Sequence, residues 1–537
     1  MRGRLGTSSA SWVLGVISER VPKARPVGRA TFSEAMRAWF AGDFEGCLAL
    51  CDRVRPHDVD MVSQLALLRA RALLRIGRPD DAIAVVRRVF VTHGTLDASL
   101  TARMLLGTAY VRRGDHRAGL DVLESAYRSS DGAHPTVRSE IALNIGLGYY
   151  GLRELDEADR ALDLVSSHAD IVHARALEYR GWVAMARCDY TGAAESFYAA
   201  LRRLDECRQY DRFLEGNAIQ ALSILAAERL DRGMWLVVEQ RALRMDWTAG
   251  GLTVPWFTMA MAASHYEEAN GRFREALRWI GDAEAIAPGA GARLWATCRR
   301  ASILRAAGEQ FGHFDLVARL RREFAELDVS VFQAGDERQF PLALALEVAT
   351  TGDVLSARAL FKRYDEMAPA STMLSLTDDP RLTGYRLFVE ASIADAANEH
   401  RLAHARYREA FQTFHRIGYE RRALLVALRL GELTGQTYLF EYVDRTVRKL
   451  SPNSALRERA RRQNPTLTDP VVALLSRTER VILDLVCAGK STAEIAELRG
   501  RSKQTIRNTI SKVLIAFAVP DRPSLLRECS RRGLITR

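Results

Sequence analysis

Proline is scarce in this chain, 15 residues in 537. Alanine, leucine, arginine and glutamate dominate instead, and these are strong helix formers. No stretch alternates apolar and polar residues convincingly in the two-residue period of a half-buried strand. Cysteine is equally sparse. The seven residues, Cys47, Cys51, Cys188, Cys207, Cys298, Cys487 and Cys529, are odd in number, scattered, and form no C-x-x-C. Cys47 and Cys51 stand four apart, but no second pair or nearby histidine completes a metal set. Reduced, mostly buried thiols are expected, not a disulfide frame or a zinc site.

Long apolar runs are missing too. None reaches the ~18 residues needed to cross a bilayer. The short patch Trp12 to Ile17 lies between arginines, is shorter than most signal-peptide cores and lacks a small-residue cleavage site. Residues 1–30 therefore read as a mobile basic leader, and the protein as cytosolic with no membrane partner. Histidines do not cluster: His400 and His404 have no glutamate between them, so no metal is expected. Gly489-Lys490-Ser491 ends like a phosphate-binding loop, but the position five residues before Gly489 is Asp484 where that loop needs glycine. No catalytic constellation emerges. The chain reads as a non-enzyme without a cofactor.

What is present is length and periodicity. A chain of 537 residues exceeds one core, and 48% hydrophobic with 27% charged residues describes a folded protein. From 31 to 450 an apolar helix, a turn and a second helix recur, as in Leu65–Phe90, Leu105–Tyr127 and Tyr179–Leu201. The turns fall at Gly42, Gly77, Gly114, Cys188, Gly271, Gly308 and Gly352, at intervals of 35, 37, 74, 83, 37 and 44. These are one or two multiples of a single period, which predicts a solenoid of helix pairs. Ala82, Ala118, Ala158, Ala193 and Ala276 follow the turns, where a small side chain lets the second helix approach the first. Tyr110, Tyr149 and Trp182 precede them. This pattern resembles the tetratricopeptide repeat family, in degenerate form. Trp247–Trp256 and Ala368–Pro380 read as loops, and the proline-bounded 451–469 as a linker with four arginines.

The segment 470–537 concentrates charge: 13 Lys and Arg against 6 Asp and Glu, a net of +7 of the chain's +11. Ser476 with Glu479 and Ser491 with Glu494 are capping boxes, Gly489 and Gly500 are stops, and Ser502 caps a third helix to about Ala516. Helix, tight turn and helix at this size is a helix-turn-helix. On the third helix Ile506, Ile510, Val513 and Phe517 form the buried stripe. Gln504, Arg507, Asn508 and Ser511 face elsewhere with groups suited to base edges. Lys503 and Lys512 are placed for phosphates, and the helix start at Ser491 and Thr492 for phosphate through backbone N–H groups.

The stretch from Leu475 to about Arg532 resembles the DNA-binding domain of LuxR-type transcription regulators. The match lies in Leu475 to Val481, Leu483 to Val486, Ala488 to Ser491, Glu494 to Ala496, Ser502, Thr505 to Arg507, Val519 and Arg522. The resemblance implies that helix 502–516 is a recognition helix that includes Thr505, and that a helix at about 523–532 supports a homodimer. The family carries Leu and Ile at the turn where this chain has Arg499 and Arg501, His where Thr509 stands and Lys where Ala516 stands. The expected architecture is all-α: a tetratricopeptide-like α-solenoid, then a small four-helix helix-turn-helix domain. The expected function is a transcription regulator. Its tail reads double-stranded DNA, and its solenoid groove receives a signal, a peptide or protein ahead of a small ligand. The rival is a protein-interaction scaffold with a degenerate tail that binds no DNA.

Overall fold

The computed structural model describes residues 31–54, 59–89, 95–168, 170–207, 210–247, 252–327, 339–367, 379–448, 454–464, 469–532 and 534. The leader 1–30 and nearly all of the 368–380 loop lie outside them. Every regular element among the described residues is a helix. None is long and apolar enough to cross a membrane.

Eleven consecutive helix pairs make the solenoid. They are α1 (Phe32–Phe40) with α2 (Phe44–Cys51), α3 (Val59–Arg75) with α4 (Pro79–Val89), α5 (Leu96–Arg113) with α6 (His116–Arg128), and α7 (Pro135–Gly151) with α8 (Leu155–Asp163). Next come α9 (Asp170–Ala186) with α10 (Tyr190–Glu206), α11 (Arg212–Arg229) with α12 (Arg232–Ala242), and α13 (Thr253–Ala269) with α14 (Phe273–Ile286). The last four are α15 (Ala290–Ala306) with α16 (Gln310–Glu326), α17 (Phe340–Thr350) with α18 (Val354–Met367), α19 (Pro380–Ala396) with α20 (His400–Arg416), and α21 (Glu420–Thr434) with α22 (Thr437–Val447).

One local rule builds the pairs. Each is joined by a residue in the left-handed region: Gly42, Gly77, Gly114, Arg153, Cys188, Leu230, Gly271, Gly308, Gly352, Asn398 and Gly435. All seven turns read from the sequence are among them. The two double intervals hide turns at Arg153 and Leu230, whose φ values are 61° and 56°. A glycine search passes over them. A side chain in this conformation costs on the order of 1–3 kcal/mol, and at Leu230 burial of the side chain in the core offsets that cost.

Five residues after each turn a buried side chain meets the first helix of the pair. Cys47, Ala82, Ala158, Ala193, Ala276, Ala357 and Ala403 are fully buried there. In the third pair this place belongs to Gly119, and Ala118, expected to fill it, points outward. The helices cross so closely that a Cβ on Gly119 would stand 2.7 Å from the Gly107 carbonyl oxygen. In the eighth pair His313 takes the place, its Nε2 3.0 Å from Glu347 Oε2, with Arg305 on the same carboxylate at 2.8 Å.

The solenoid curls until it touches itself. Phe44 of α2 packs on Phe213 of α11, ring centroids 5.0 Å apart, and Tyr190 of α10 packs on Tyr419 at 4.9 Å. Glu228 of α11 takes Arg421 and Arg422 of α21. One hydrophobic cluster therefore joins residues 185–269 to residues 391–460.

The segment 451–469, assigned to a linker by composition, contains α23 (Ala455–Gln463). This helix packs on α21 and α22. Its arginines serve the solenoid: Arg457 and Arg461 pair with Asp444, and Arg459 pairs with Glu432. A compact module follows, with α24 (Pro470–Leu474), α25 (Arg477–Cys487), α26 (Thr492–Arg499), α27 (Lys503–Ala516) and α28 (Arg522–Arg531).

Candidate functional site

The C-terminal module is organised by its caps. Ser476 Oγ accepts from the Glu479 N–H while the Ser476 N–H donates to Glu479 Oε2, and Ser491 with Glu494 repeats the arrangement. Gly489 and Gly500 have φ of 77° and 56°, so the chain reverses after α25 and after α26 at little steric cost. Ser502 Oγ accepts from the Thr505 N–H at 3.1 Å and starts α27. Beneath these turns Ile482, Leu483, Val486, Ile495, Ile506, Ile510, Val513, Phe517 and Leu525 make one apolar core. The stripe on α27 expected to be buried is buried.

The opposite side of α27 is open. Lys503, Gln504, Thr505, Arg507, Asn508, Ser511 and Lys512 are all exposed with the solenoid in place. Gln504 Nε2 donates to Asn508 Oδ1 at 3.0 Å, which aligns the two amides along one face. Ser511 Oγ donates to the Arg507 carbonyl at 3.1 Å. The cations of this face form no ion pair among the described residues. Gln504, Arg507, Asn508 and Ser511 follow one another along one face, with Lys503 and Lys512 at its edges, while the Thr505 hydroxyl is engaged with that of Ser502.

The phosphate site expected at Ser491 and Thr492 is narrower than the sequence suggests. The Ser491 N–H is committed to Glu494 Oε2 at 2.7 Å, and Lys490 pairs with the same carboxylate group at 3.5 Å. A carboxylate thus takes the Ser491 N–H, and among the described residues no side-chain bond to the Thr492 N–H is formed. Arg499 and Arg501, at the turn positions where the resembling family is apolar, are both exposed. Exposure of both is compatible with stems along the surface and heads in water, as long side chains of this type allow.

The module is closed on itself by Arg532. Its Nη1 reaches Asp469 Oδ2 at 3.1 Å, its Nε reaches Glu528 at 2.7 Å, and its head stacks on the Phe517 ring. Sequence reading missed this group, since pattern alone cannot pair residues 63 positions apart. Toward the solenoid, the Asp484 carboxyl is pushed up to about 6 by burial and by Glu441 of α22, with Arg480 opposing.

Within the solenoid, the part expected to receive a signal, a cavity of about 980 Å³ opens between α13, α15, α17, α19, α21 and α23. Among the described residues no group of three or more His, Cys, Asp or Glu is placed to hold a metal ion.

No family model matches the chain, and no curated protein matches it. The fold is similar to solved helical structures. One is a Rap protein complexed with competence and sporulation factor, at 12% identity and a TM-score of 0.46, over 68% of this chain and 100% of that one. Another is the APC/C hetero-tetramer Cut9–Hcn1, at 12% identity and a TM-score of 0.28, over 82% of this chain and 93% of that one. Neither likeness bears on what this chain binds. The class defined by the fold is an all-α helical-repeat solenoid that carries a small helical module.

Proposed function

We propose that this protein is a regulator whose C-terminal module docks α27 in the major groove of double-stranded DNA and whose solenoid receives the signal that governs docking. The observation that carries the reading is the open strip on α27. An amide pair, a guanidinium and a hydroxyl share one face, flanked by Lys503 and Lys512 and underlain by an apolar stripe. Arg507 suits guanine O6 and N7, and Asn508 or Gln504 suits adenine N6 and N7. Lys503 and Lys512 would hold the register on phosphate without reading sequence. The net charge of the module supplies the general attraction. A dimer through α28 would present two such strips to two half-sites.

The test is selection of binding sites from random duplexes with the full chain. A recovered consensus supports the reading, and recovery of random sequence at every salt concentration refutes it.

A second reading has its own support. Arg499 and Arg501 stand where the resembling DNA-binding domains are apolar, and a carboxylate holds the start of α26. On that view the chain is a protein-interaction scaffold, its partner a peptide or protein in the solenoid groove, and the module a tail that does not dock. Isolation of a stable stoichiometric protein complex, with no consensus duplex, would favour it. The reading as a non-enzyme without a cofactor rests on the sequence and stands as part of both.

A further inference from the structure

The cavity differs from an ordinary repeat groove in being walled by helices far apart in the chain. Its floor comes from α13, α15 and α17, its far wall from α19 and α21, and its near wall from α23. It exists because the solenoid returns on itself at Glu228 and Arg421.

Charge is unevenly shared around it. Seven arginines line the space against four carboxylates, those of Glu268, Glu347, Asp395 and Glu458. Three arginines have a carboxylate each: Arg299 has Glu268, Arg305 has Glu347 and Arg462 has Glu458. The other four lean on two carboxylates from the layer behind. Arg421 and Arg422 share Glu228, and Arg429 and Arg459 share Glu432. Two carboxylates cannot neutralise four guanidiniums. Asp395, held by the Tyr407 hydroxyl at 3.4 Å, offsets one of the two surplus charges.

The surplus is felt at one corner. His265 of α13 borders the cavity, and its Nδ1 has no hydrogen-bond partner among the described residues; nor does Arg421 Nε. Burial lowers the His265 pKa well below the ordinary value, and Arg299, Arg421 and Arg422 lower it further. Burial also lowers Arg299, with Arg421 adding to the effect. Cations that repel one another in a low-dielectric space are stabilised by an anion placed among them. Trp295, Tyr385 and Phe388 give the wall an apolar stretch, beside the polar Ser302, Gln339, Thr350 and Ser392. The volume falls within the roughly 300–1,000 Å³ of small-molecule sites.

We propose that this cavity binds a small organic anion, with its carboxylate or phosphate set among His265, Arg299 and Arg421 and its apolar body against Trp295, Tyr385 and Phe388. The inference deepens the reading of the solenoid as the receiving part and rests on it. It also gives the signal a route: α23, which supplies Arg459 and Arg462 to the wall, is the last solenoid helix before the module.

The experiment uses the full chain in thermal unfolding and calorimetric titration. The probes are citrate, inorganic pyrophosphate and indole-3-carboxylate, each compared with chloride at equal ionic strength. At least one probe is expected to raise the midpoint, by the amount that occupancy of the native state requires. A response to citrate or indole-3-carboxylate identifies a carboxylate site, and a response to pyrophosphate a phosphate site. Leu425→Glu, which adds a carboxylate to the wall, is expected to weaken that binding at least about tenfold, equivalent to ~1.4 kcal/mol. His265→Leu, which keeps the ring's bulk in part and removes its nitrogens, is expected to weaken it less and decides the matter if the first variant does not fold. Absence of any shift beyond chloride, or an equal shift in wild type and in every folded variant, overturns the proposal. Gel retardation of a selected duplex runs in parallel. Anion binding without retardation keeps the cavity and discards the DNA reading, and retardation without anion binding does the reverse.

Discussion

Glu228 on α11 and Arg421 on α21 stand 193 positions apart in the sequence and meet at 2.5 Å, with side chains 8% and 6% exposed. The pair is the clasp of the solenoid. Arg422 reaches the same carboxylate at 3.2 Å, and the two arginines together hold the Glu228 carboxyl below its usual range against the effect of burial.

Removal of Arg421 from this clasp leaves the buried Glu228 carboxylate with Arg422 alone. With Arg422 still on the carboxylate, Arg421→Met is expected to lower stability by less than the about 3–5 kcal/mol of a fully broken buried pair. The double variant Glu228→Gln with Arg421→Met is expected to recover most of that loss. Chemical denaturation read by circular dichroism gives both values, and a double variant no better than the single would show that the clasp does not act as a pair.

Glu178 on α9 predicts a pH effect. Burial raises its carboxyl to about 7, although Asn217 Nδ2 and Trp182 Nε1 donate to Oε1 at 3.0 and 3.3 Å. The folded value lies above the unfolded one, so the native state binds the proton more tightly. Its contribution is fully present below about 4.5 and is lost as pH rises through about 7. Glu178→Gln is expected to stabilise the chain at pH 8 by up to ~3 kcal/mol and to do nothing at pH 4. Melts at both pH values check it, and equal gains at both would refute the assignment.

The close approach of α5 and α6 gives a third prediction. Gly119→Ala forces a methyl against the Gly107 carbonyl, and Gly107→Ala would place its Cβ 2.6 Å from Leu123 Cγ. Each is expected to cost about 1–3 kcal/mol through overpacking. Ala118→Gly, one residue away on the exposed side, is expected to cost about 1 kcal/mol or less from helix propensity alone. Denaturation midpoints of the three variants separate the cases.

For the module, Arg507→Ala is expected to cost about 1–3 kcal/mol on a selected duplex and to relax base preference at one position. Lys503→Ala is expected to weaken all duplexes alike and to lower the salt slope by about 1. Fluorescence anisotropy across a salt series reads both. Unchanged affinity in Arg507→Ala would remove α27 from the role of reader.

Much of this architecture is legible in the sequence because it is local. Caps, glycine stops and apolar stripes act within one or two helical turns, so Ser476, Ser491, Ser502, Gly489 and Gly500 mark the module boundaries before any coordinates. The solenoid period is legible for the same reason at six glycine turns from Gly42 to Gly352, though not at Gly435. It fades at Arg153 and Leu230, where a non-glycine residue takes the left-handed backbone, at Leu230 with its side chain buried in the core. Composition fails at 451–469. Its arginines and prolines look like a spacer, yet Arg457, Arg459 and Arg461 find solenoid carboxylates and α23 folds against them. The cavity was not legible at all, because it depends on contacts such as Glu228 with Arg421 that no local pattern encodes.

The Asp469–Arg532 contact has one more implication. It gathers the entry and exit of the C-terminal unit at a single point, so the unit is a cassette with its own latch. Grafted onto a different carrier at that point, it should keep its internal fold, while the Asp484 carboxyl, raised by burial and by Glu441 of the repeats, should relax toward the ordinary carboxylate range.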